Sequence, residues 1–471
     1  MGALNSSFLL WFILFSFSAF LCLSAHEGSH TVEVSSLIPS TTCHSSNKGP
    51  RSKASLKVMH KYGPCFESNK DEVAVPNHIE ILLQDQSRVN SIHSRISKNS
   101  GSSKFRDSQA TTLPAKSALP LGSGNYVVSI GLGTPIRDLR LVFDTGSDLT
   151  WTQCEPCAGY CYNQVDPIFD PSKSTSYSSI TCASPSCSLL DSATGCQPPC
   201  PSHTSQCVYH MKYGDRSNST GYFSKERLTI TPSNVLDDFL FGCGQDNQGH
   251  FKGIAGLLGL GRNRISIVQQ AAQKYGQFFS YCLPSTPSSI GYLTFGNDNG
   301  GVSNNVKFTP LLTLSQHASF YGLGLTGISV GGQQLSIPMS VFSATGTIID
   351  SGTVITRLPP MAYNELRTTF RKLMSGYPMT SSYSLLDTCY DFRKNNTVSI
   401  PKIGFLFGGL RVDLDPTGVF YMVSSSQTCL GFAGNNKTSN ITIIGNTQQK
   451  RLEVVYDVVG GRIGFGPAGC S

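Results

Sequence analysis

Apolar and polar positions divide the chain into three stretches of different rhythm. Residues 8–23 are almost wholly apolar (FLLWFILFSFSAFLCL), and the small residues Ser24 and Ala25 follow. That run matches the apolar core and cleavage site of a secretory signal peptide at 1–25, although no Lys or Arg precedes it; a retained signal anchor is the competing reading. Residues 26–118 are polar and rich in Ser and Lys, except where Ile79, Leu82, Val89, Ile92 and Ile96 recur at helical spacing and predict an amphipathic helix. The blander alternative is a solvated linker with an incidental helix. Residues 97–117 (SKNSGSSKFRDSQATTLPAKS) are loop-like and basic, as an exposed processing region would be, so 26–118 is expected to be a removable pro-segment. From Asn125 onward, short β-type runs broken by Gly, Pro, Asn and Asp predict a mostly β protein. Helical windows are few, the clearest being 361–374 (MAYNELRTTFRKLM), with a second at 266–275.

The β region repeats itself. NYVVSIGLGTP at 125–135 is echoed loosely by FYGLGLTGISVGG at 320–332, LVFDTGS at 141–147 by TIIDSGT at 347–353, and GLLGLG at 256–261 by TIIGNT at 442–447. Each half therefore reads as a hairpin, then an apolar pair with Asp, hydroxyl, Gly and hydroxyl, then an apolar pair with Gly about a hundred residues later. Two similar lobes follow from that order, at about 119–310 and 311–471.

Sixteen cysteines in a chain routed through an oxidising compartment point to disulfides. Cys22 leaves with the signal, and Cys43 and Cys65 can pair with each other. Thirteen remain: Cys154, Cys157, Cys161, Cys182, Cys187, Cys196, Cys200, Cys207, Cys243, Cys282, Cys389, Cys429 and Cys470. An odd number leaves one over. The close spacing of Cys154, Cys157 and Cys161 invites a zinc reading, but no His falls at finger-like spacing, and no metal or cofactor is expected. The formal charge of +7 divides into +4 for residues 26–118 (12 Lys and Arg against 8 Asp and Glu) and +3 for the remainder (24 against 21). A near-balanced catalytic region carries no electrostatic footprint for nucleic acid. Sequons at Asn218, Asn395, Asn436 and Asn440 suggest surface loops glycosylated during secretion.

A carboxylate that follows a buried apolar strand end and precedes Thr-Gly or Ser-Gly has an unusual environment. Val142 and Phe143, or Ile348 and Ile349, hold Asp144 or Asp350 in a water-poor place, and Gly146 or Gly352 lets the backbone turn closely beneath it. Ser147 and Thr353 are expected to orient the carboxylates, while Thr145 and Ser351 reach across and lock the two loops together. One Asp-Thr-Gly alone is usually a turn; two in equivalent places of a duplicated chain are strong evidence. On these motifs, with DTGSDLTW at 144–151, YGDRS at 213–217 and the cysteine-dense stretch between them, the region from about 124 to 470 resembles the pepsin-like aspartic endopeptidases, and among them the plant nepenthesin-like group. LKVMHKYGPC at 56–65 is similar to pro-regions of that group. One departure is the cysteine count, thirteen where the group usually has twelve; the excess lies at Cys196 and Cys200, before Cys207.

The resemblance implies a bilobal, metal-free, monomeric protease that binds an extended protein or peptide substrate between its lobes. It implies that Tyr213 sits on a flap over the cleft and that Trp151 holds the phenol through its indole N–H. The two carboxylates would share one proton, activate a water and act at acidic pH. Without a lipid-anchor signal or a second apolar run the product is expected to be secreted to the extracellular space, the vacuole and chloroplast being alternatives. Competing functions are a catalytically inactive inhibitor or binding protein of this fold, which intact DTGS and DSGT oppose, and a DNA-binding protease of chloroplast nucleoid type, which the weak charge opposes. A glycoside hydrolase with two carboxylates leaves the Gly and hydroxyl neighbours unexplained.

Overall fold

Residues 28–44, 54–66, 77–99, 126–194, 200, 205–213, 217–297, 302–314 and 318–470 are described by a computed structural model. The expected signal segment, most of the basic run at 97–117, Cys22 and Cys196 lie outside the described residues.

The duplicated sequence order becomes a duplicated strand order. Strand Tyr126–Leu132 pairs antiparallel with Arg137–Asp144, at whose end Asp144 sits, and Gly256–Gly259 lies parallel alongside with Leu258 opposite Phe143 and Gly259 opposite Asp144. In the second half Tyr321–Leu323 pairs antiparallel with Thr347–Ile349, and Thr442–Ile444 lies parallel alongside with Ile444 opposite Ile349. Main-chain bonds complete both junctions: Leu260 N donates to Asp144 O at 2.9 Å and Asp350 N to Ile444 O at 3.0 Å. Val142, Phe143, Leu257, Leu258, Ile348, Ile349, Ile443 and Ile444 are all buried. Continuous apolar runs of this kind suit strands covered on both faces, and they hold the two Asp-bearing loops on rigid supports. The protein is mostly β and bilobal, with a sheet that also joins the halves: Glu453–Asp457 pairs with Phe278–Cys282 and Arg462–Gly466 with Lys307–Pro310.

The window at 361–374 forms helix Pro360–Leu373, which buries Ala362, Tyr363, Leu366 and Phe370 on one face and carries Arg371 and Lys372 in its last turn. The window at 266–275 is two short helices, Ile267–Gln270 and Ala272–Tyr275, the first capped by the Ser266 side chain and the second closed by Gly276 at φ 67°. A helix at Pro185–Thr194 within the cysteine-dense stretch was not expected.

The N-terminal stretch is built into the fold rather than trailing from it. Ser29–Glu33 pairs antiparallel with Thr397–Pro401, and Ser55–His60 inserts between Gly291–Phe295 and Tyr126–Leu132. Leu56 and Val58 of the second strand are buried, an alternation with period two that the polar composition masked. The amphipathic helix forms at His78–Asn99, with the Asn77 side chain accepting from Glu80 N at its start. Ile81, Leu82, Val89 and Ile92 are buried, Ile96 packs partly, and Ile79 is exposed.

Seven disulfides form: Cys43–Cys65, Cys154–Cys243, Cys157–Cys161, Cys182–Cys200, Cys187–Cys207, Cys282–Cys470 and Cys389–Cys429. Among the thirteen downstream cysteines only Cys196 is not in one of these pairs, and it is outside the described residues. Of the sequons, Asn436 is exposed and Asn218, Asn395 and Asn440 are part-exposed.

Candidate active site

Asp144 and Asp350 come together at the lobe interface with no exposure to solvent. The loops that carry them are tied by a reciprocal pair of bonds: Ser351 Oγ accepts from Thr145 N at 3.1 Å and Thr145 Oγ1 accepts from Ser351 N at 2.9 Å. Gly146 N donates to Asp144 Oδ1 at 2.9 Å and Gly352 N to Asp350 Oδ1 at 3.1 Å, so each carboxylate is oriented by its own turn. A Cβ on Gly146 would stand 2.8 Å from Asp350 Oδ1, and one on Gly352 would strike Asp144 and Arg88. Glycine is required here by close approach across the interface.

The two hydroxyls expected to orient the carboxylates behave differently. Thr353 Oγ1 donates to Asp350 Oδ2 at 2.6 Å. Ser147 Oγ is buried and has no hydrogen-bond partner among the described residues. Asp144 Oδ2 accepts from Arg88 Nη1 at 3.1 Å.

Arg88 is the residue that sequence reasoning did not assign. It projects from helix His78–Asn99 and grips both carboxylates: Nη1 and Nη2 meet Asp144 Oδ2 and Oδ1 at 3.1 and 2.8 Å, while Nε and Nη2 meet Asp350 Oδ2 and Oδ1 at 2.9 and 2.8 Å. A planar guanidinium has two edges that can each serve a carboxylate in this forked manner, which a lysine ammonium cannot. Burial disfavours the Arg88 cation, but the charges of Asp144 and Asp350 outweigh that and raise its pKa. Asp144 is held above the ordinary carboxylate range by burial, opposed by Arg88 and reinforced by Asp350.

A signal for Arg88 was present. Leu82, Asp85, Val89, Ile92 and Ile96 follow a strict alternation of three and four residues, so Asp85 occupies a place in the apolar stripe and Arg88 adjoins it. Charges on the inward face of a helix call for partners in whatever it covers. The stripe itself packs on the second lobe, Ile81 and Leu82 against Val354, Ile355 and Tyr421, and Val89 and Ile92 against Phe320, Ile348 and Ile443. Each such buried side chain contributes about 1.5–3 kcal/mol toward holding the helix in place.

Trp151 and Tyr213 also meet. The indole Nε1 donates to the phenol oxygen at 2.7 Å, both side chains are buried, and the Phe251 ring stands edge-on to each. Tyr213 lies just beyond strand Val208–Lys212, which pairs with Asn218–Thr231 as a hairpin; residues 214–216 between them are outside the described residues.

Residues 126–297 match the family description "Xylanase inhibitor N-terminal" and residues 320–467 match "Xylanase inhibitor C-terminal". An aspartyl protease family protein of Arabidopsis thaliana is 54% identical over 94% of this chain and 93% of its own length. The chain belongs to the aspartyl protease family. Its relatives include aspartyl protease AED1 of Arabidopsis thaliana, 50% identical over 94% of this chain and 92% of that protein, and aspartic proteinase nepenthesin-2 of Nepenthes gracilis, 37% identical over 74% and 79%. This aspartyl protease is an aspartic-type endopeptidase of the nepenthesin-like group. Its fold is shared with the crystal structures of edgp (TM-score 0.58, 22% identity, 76% of this chain and 93% of that one) and of basic 7S globulin from soybean (TM-score 0.58, 21% identity, 72% and 91%).

Proposed function

We propose that this aspartic endopeptidase is made as a secreted proenzyme, that residues 78–99 plug its cleft, and that Asp144 and Asp350 hydrolyse peptide bonds at acidic pH once the plug leaves. The observation that carries the reading is the convergence of both Asp-hydroxyl-Gly turns on one buried point that a single arginine side chain fills.

With Arg88 gone, two carboxylates this close cannot both ionise cheaply, and one proton is shared between them. The ionised carboxyl takes a proton from a water held between the pair, and the water oxygen attacks the scissile carbonyl carbon. The protonated carboxyl donates to the carbonyl oxygen, giving a tetrahedral gem-diol; the roles then reverse as the amine departs with a proton. The reciprocal Thr145–Ser351 bonds keep the carboxyls apposed through both half-steps. When both carboxyls ionise the acid is lost, so activity falls as the pH rises toward neutrality. Intact carboxylates with this support favour catalysis over the inhibitor function for which the matched family descriptions are named.

Acid also opens the cleft on this reading. Protonating both carboxyls leaves the Arg88 guanidinium buried without a counter-ion, a situation that costs about 3–5 kcal/mol. His93, on the same helix, adds to the effect. Burial lowers its pKa to about 4, against a bond to Ile441 O that raises it, with Arg357 lowering it further. A histidine whose docked pKa lies below its free value of about 6.5 favours docking fully above that value and progressively less as the pH falls toward 4, by ~3 kcal/mol in all. Replacing His93 with Leu should therefore move the midpoint of acid self-processing, followed on gels across pH, to lower pH. An unmoved midpoint would remove His93 from the trigger.

The direct test of the proposal is digestion of denatured globin by acid-treated protein from pH 2 to 8, with and without pepstatin. Pepstatin-sensitive cleavage confined to acidic pH is expected. Folded protein, freed of residues 26–118 and inert at every pH, would defeat the proposal.

A further inference from the structure

Three residues before Arg88, the same helix places a second buried charge in a second built site. Asp85 has no solvent exposure; its Oδ1 accepts from Val354 N at 2.6 Å, and its Oδ2 accepts from Ile355 N at 3.2 Å and from Arg357 Nη2 at 2.9 Å. Arg357 is 1% exposed and is aimed by strand Thr356–Leu358, with Nη1 donating to Ile355 O at 3.2 Å. Its Nε has no hydrogen-bond partner among the described residues. Asp85 is the one carboxylate paired with Arg357 among the described residues. Two backbone N–H groups and a guanidinium converge on one carboxylate, and these three donors belong to the part of the chain that keeps the catalytic turns.

Val354 and Ile355 follow the DSGT turn directly, so this site lies on the cleft wall that the helix covers. When residues 78–99 leave, Asp85 leaves with them. The two N–H groups can be satisfied by a substrate main-chain carbonyl, and the Arg357 guanidinium loses its carboxylate, which an anionic side chain of the substrate can replace in the same charge-assisted contact. We propose that Arg357, with Val354 N and Ile355 N, forms a carboxylate-binding subsite of the active-site cleft that Asp85 occupies in the proenzyme and an Asp or Glu side chain of the substrate occupies in the active enzyme. The inference rests on the proenzyme reading above and adds a substrate class to it: acidic peptides. Asp85 and Arg88 are separated by a rise of about 4.5 Å along the helix. An extended chain advances about 3.3 Å per residue, so the acidic side chain belongs within about one to three residues of the scissile bond.

The test uses the acid-processed enzyme and one cleavable peptide in which each of the three positions on either side of the scissile bond carries Glu or Gln in turn. Rates are read as kcat/KM near pH 5, where a Glu side chain of ordinary pKa about 4.3 is mostly ionised. At one position Glu should exceed Gln by about tenfold or more, the scale of one desolvated charge-assisted contact. Arg357→Met should collapse that ratio and Arg357→Lys should keep part of it, since an ammonium supplies the charge without the fork. Equal rates for every Glu and Gln pair, from enzyme that digests globin, would overturn the subsite and leave the protease reading standing. A Glu preference that persists in Arg357→Met would overturn the assignment to Arg357. The wild-type peptide series stands even if that variant does not fold. Failure of the same preparation to digest globin would overturn the protease reading and the subsite together.

Discussion

Asp144→Asn, freed of its N-terminal segment by added protease, should lose peptide hydrolysis by about 10⁴-fold or more at every pH. The amide keeps the carboxylate's shape and can still accept from Gly146 N, so the turn and the Thr145–Ser351 bonds have no reason to change. It cannot carry the negative charge or exchange the shared proton, and each general acid or base step is worth about 10²–10⁴ in rate. Asp350→Asn should show a comparable loss, and the double variant should be little worse than either alone, because the carboxyls act as one unit. Circular dichroism and the melting temperature serve as controls for folding. More than about a hundredth of the wild-type kcat in a folded single variant would show that the reaction does not depend on the pair.

Arg88→Met should have the opposite effect on the full-length protein. The unbranched apolar side chain fills part of the same space but removes every bond from the guanidinium to Asp144 and Asp350. Removing one partner of a buried ion pair costs about 3–5 kcal/mol, which raises the open population of the cleft by about 10²–10⁴-fold. At a mildly acidic pH where the wild-type chain stays intact and excludes pepstatin, the variant should bind pepstatin before any cleavage and then process itself. Wild-type exclusion of pepstatin by intact Arg88→Met would mean that the apolar stripe and Asp85, rather than the arginine, hold the cleft shut. Pepstatin binding measured before processing separates opening of the cleft from proteolysis itself.

Much of this site was legible because its chemistry is written in short local signals. Asp144 and Asp350 each follow an apolar pair and precede a hydroxyl and a glycine, and the later apolar-apolar-Gly segments recur in the same order. Each signal specifies a strand end and a tight turn by itself, so the repeat carried the lobes and the catalytic pair without knowledge of any long-range contact. The role expected of Ser147 is not met, since its buried hydroxyl makes no hydrogen bond among the described residues, while the equivalent Thr353 hydroxyl donates to Asp350. Where a hydroxyl points within a tight turn is set by tertiary packing and not by the motif. Strand Ser55–His60 was hidden because it is short: Leu56 and Val58 are buried and Met59 packs partly on the other side, and three apolar residues beside Ser, Lys and His are a weak strand signal without the neighbouring strands that use them.

Cysteine pairing shows the same division. An oxidising compartment and a disulfide framework followed from the count, yet Cys154–Cys243 and Cys282–Cys470 close over 89 and 188 residues, and sequence spacing has no bearing on which distant thiols meet. By itself, then, the sequence determined the mostly β duplicated fold, the pair of catalytic turns and an amphipathic helix ahead of them, since these depend on local periodicity and turn chemistry. Only the tertiary structure decided that Arg88, among twelve cations of residues 26–118, lands on the two carboxylates and that Asp85 lands on Arg357. Both pairings span more than fifty residues, and a buried charge finds its partner through how the helix packs, which no local pattern encodes.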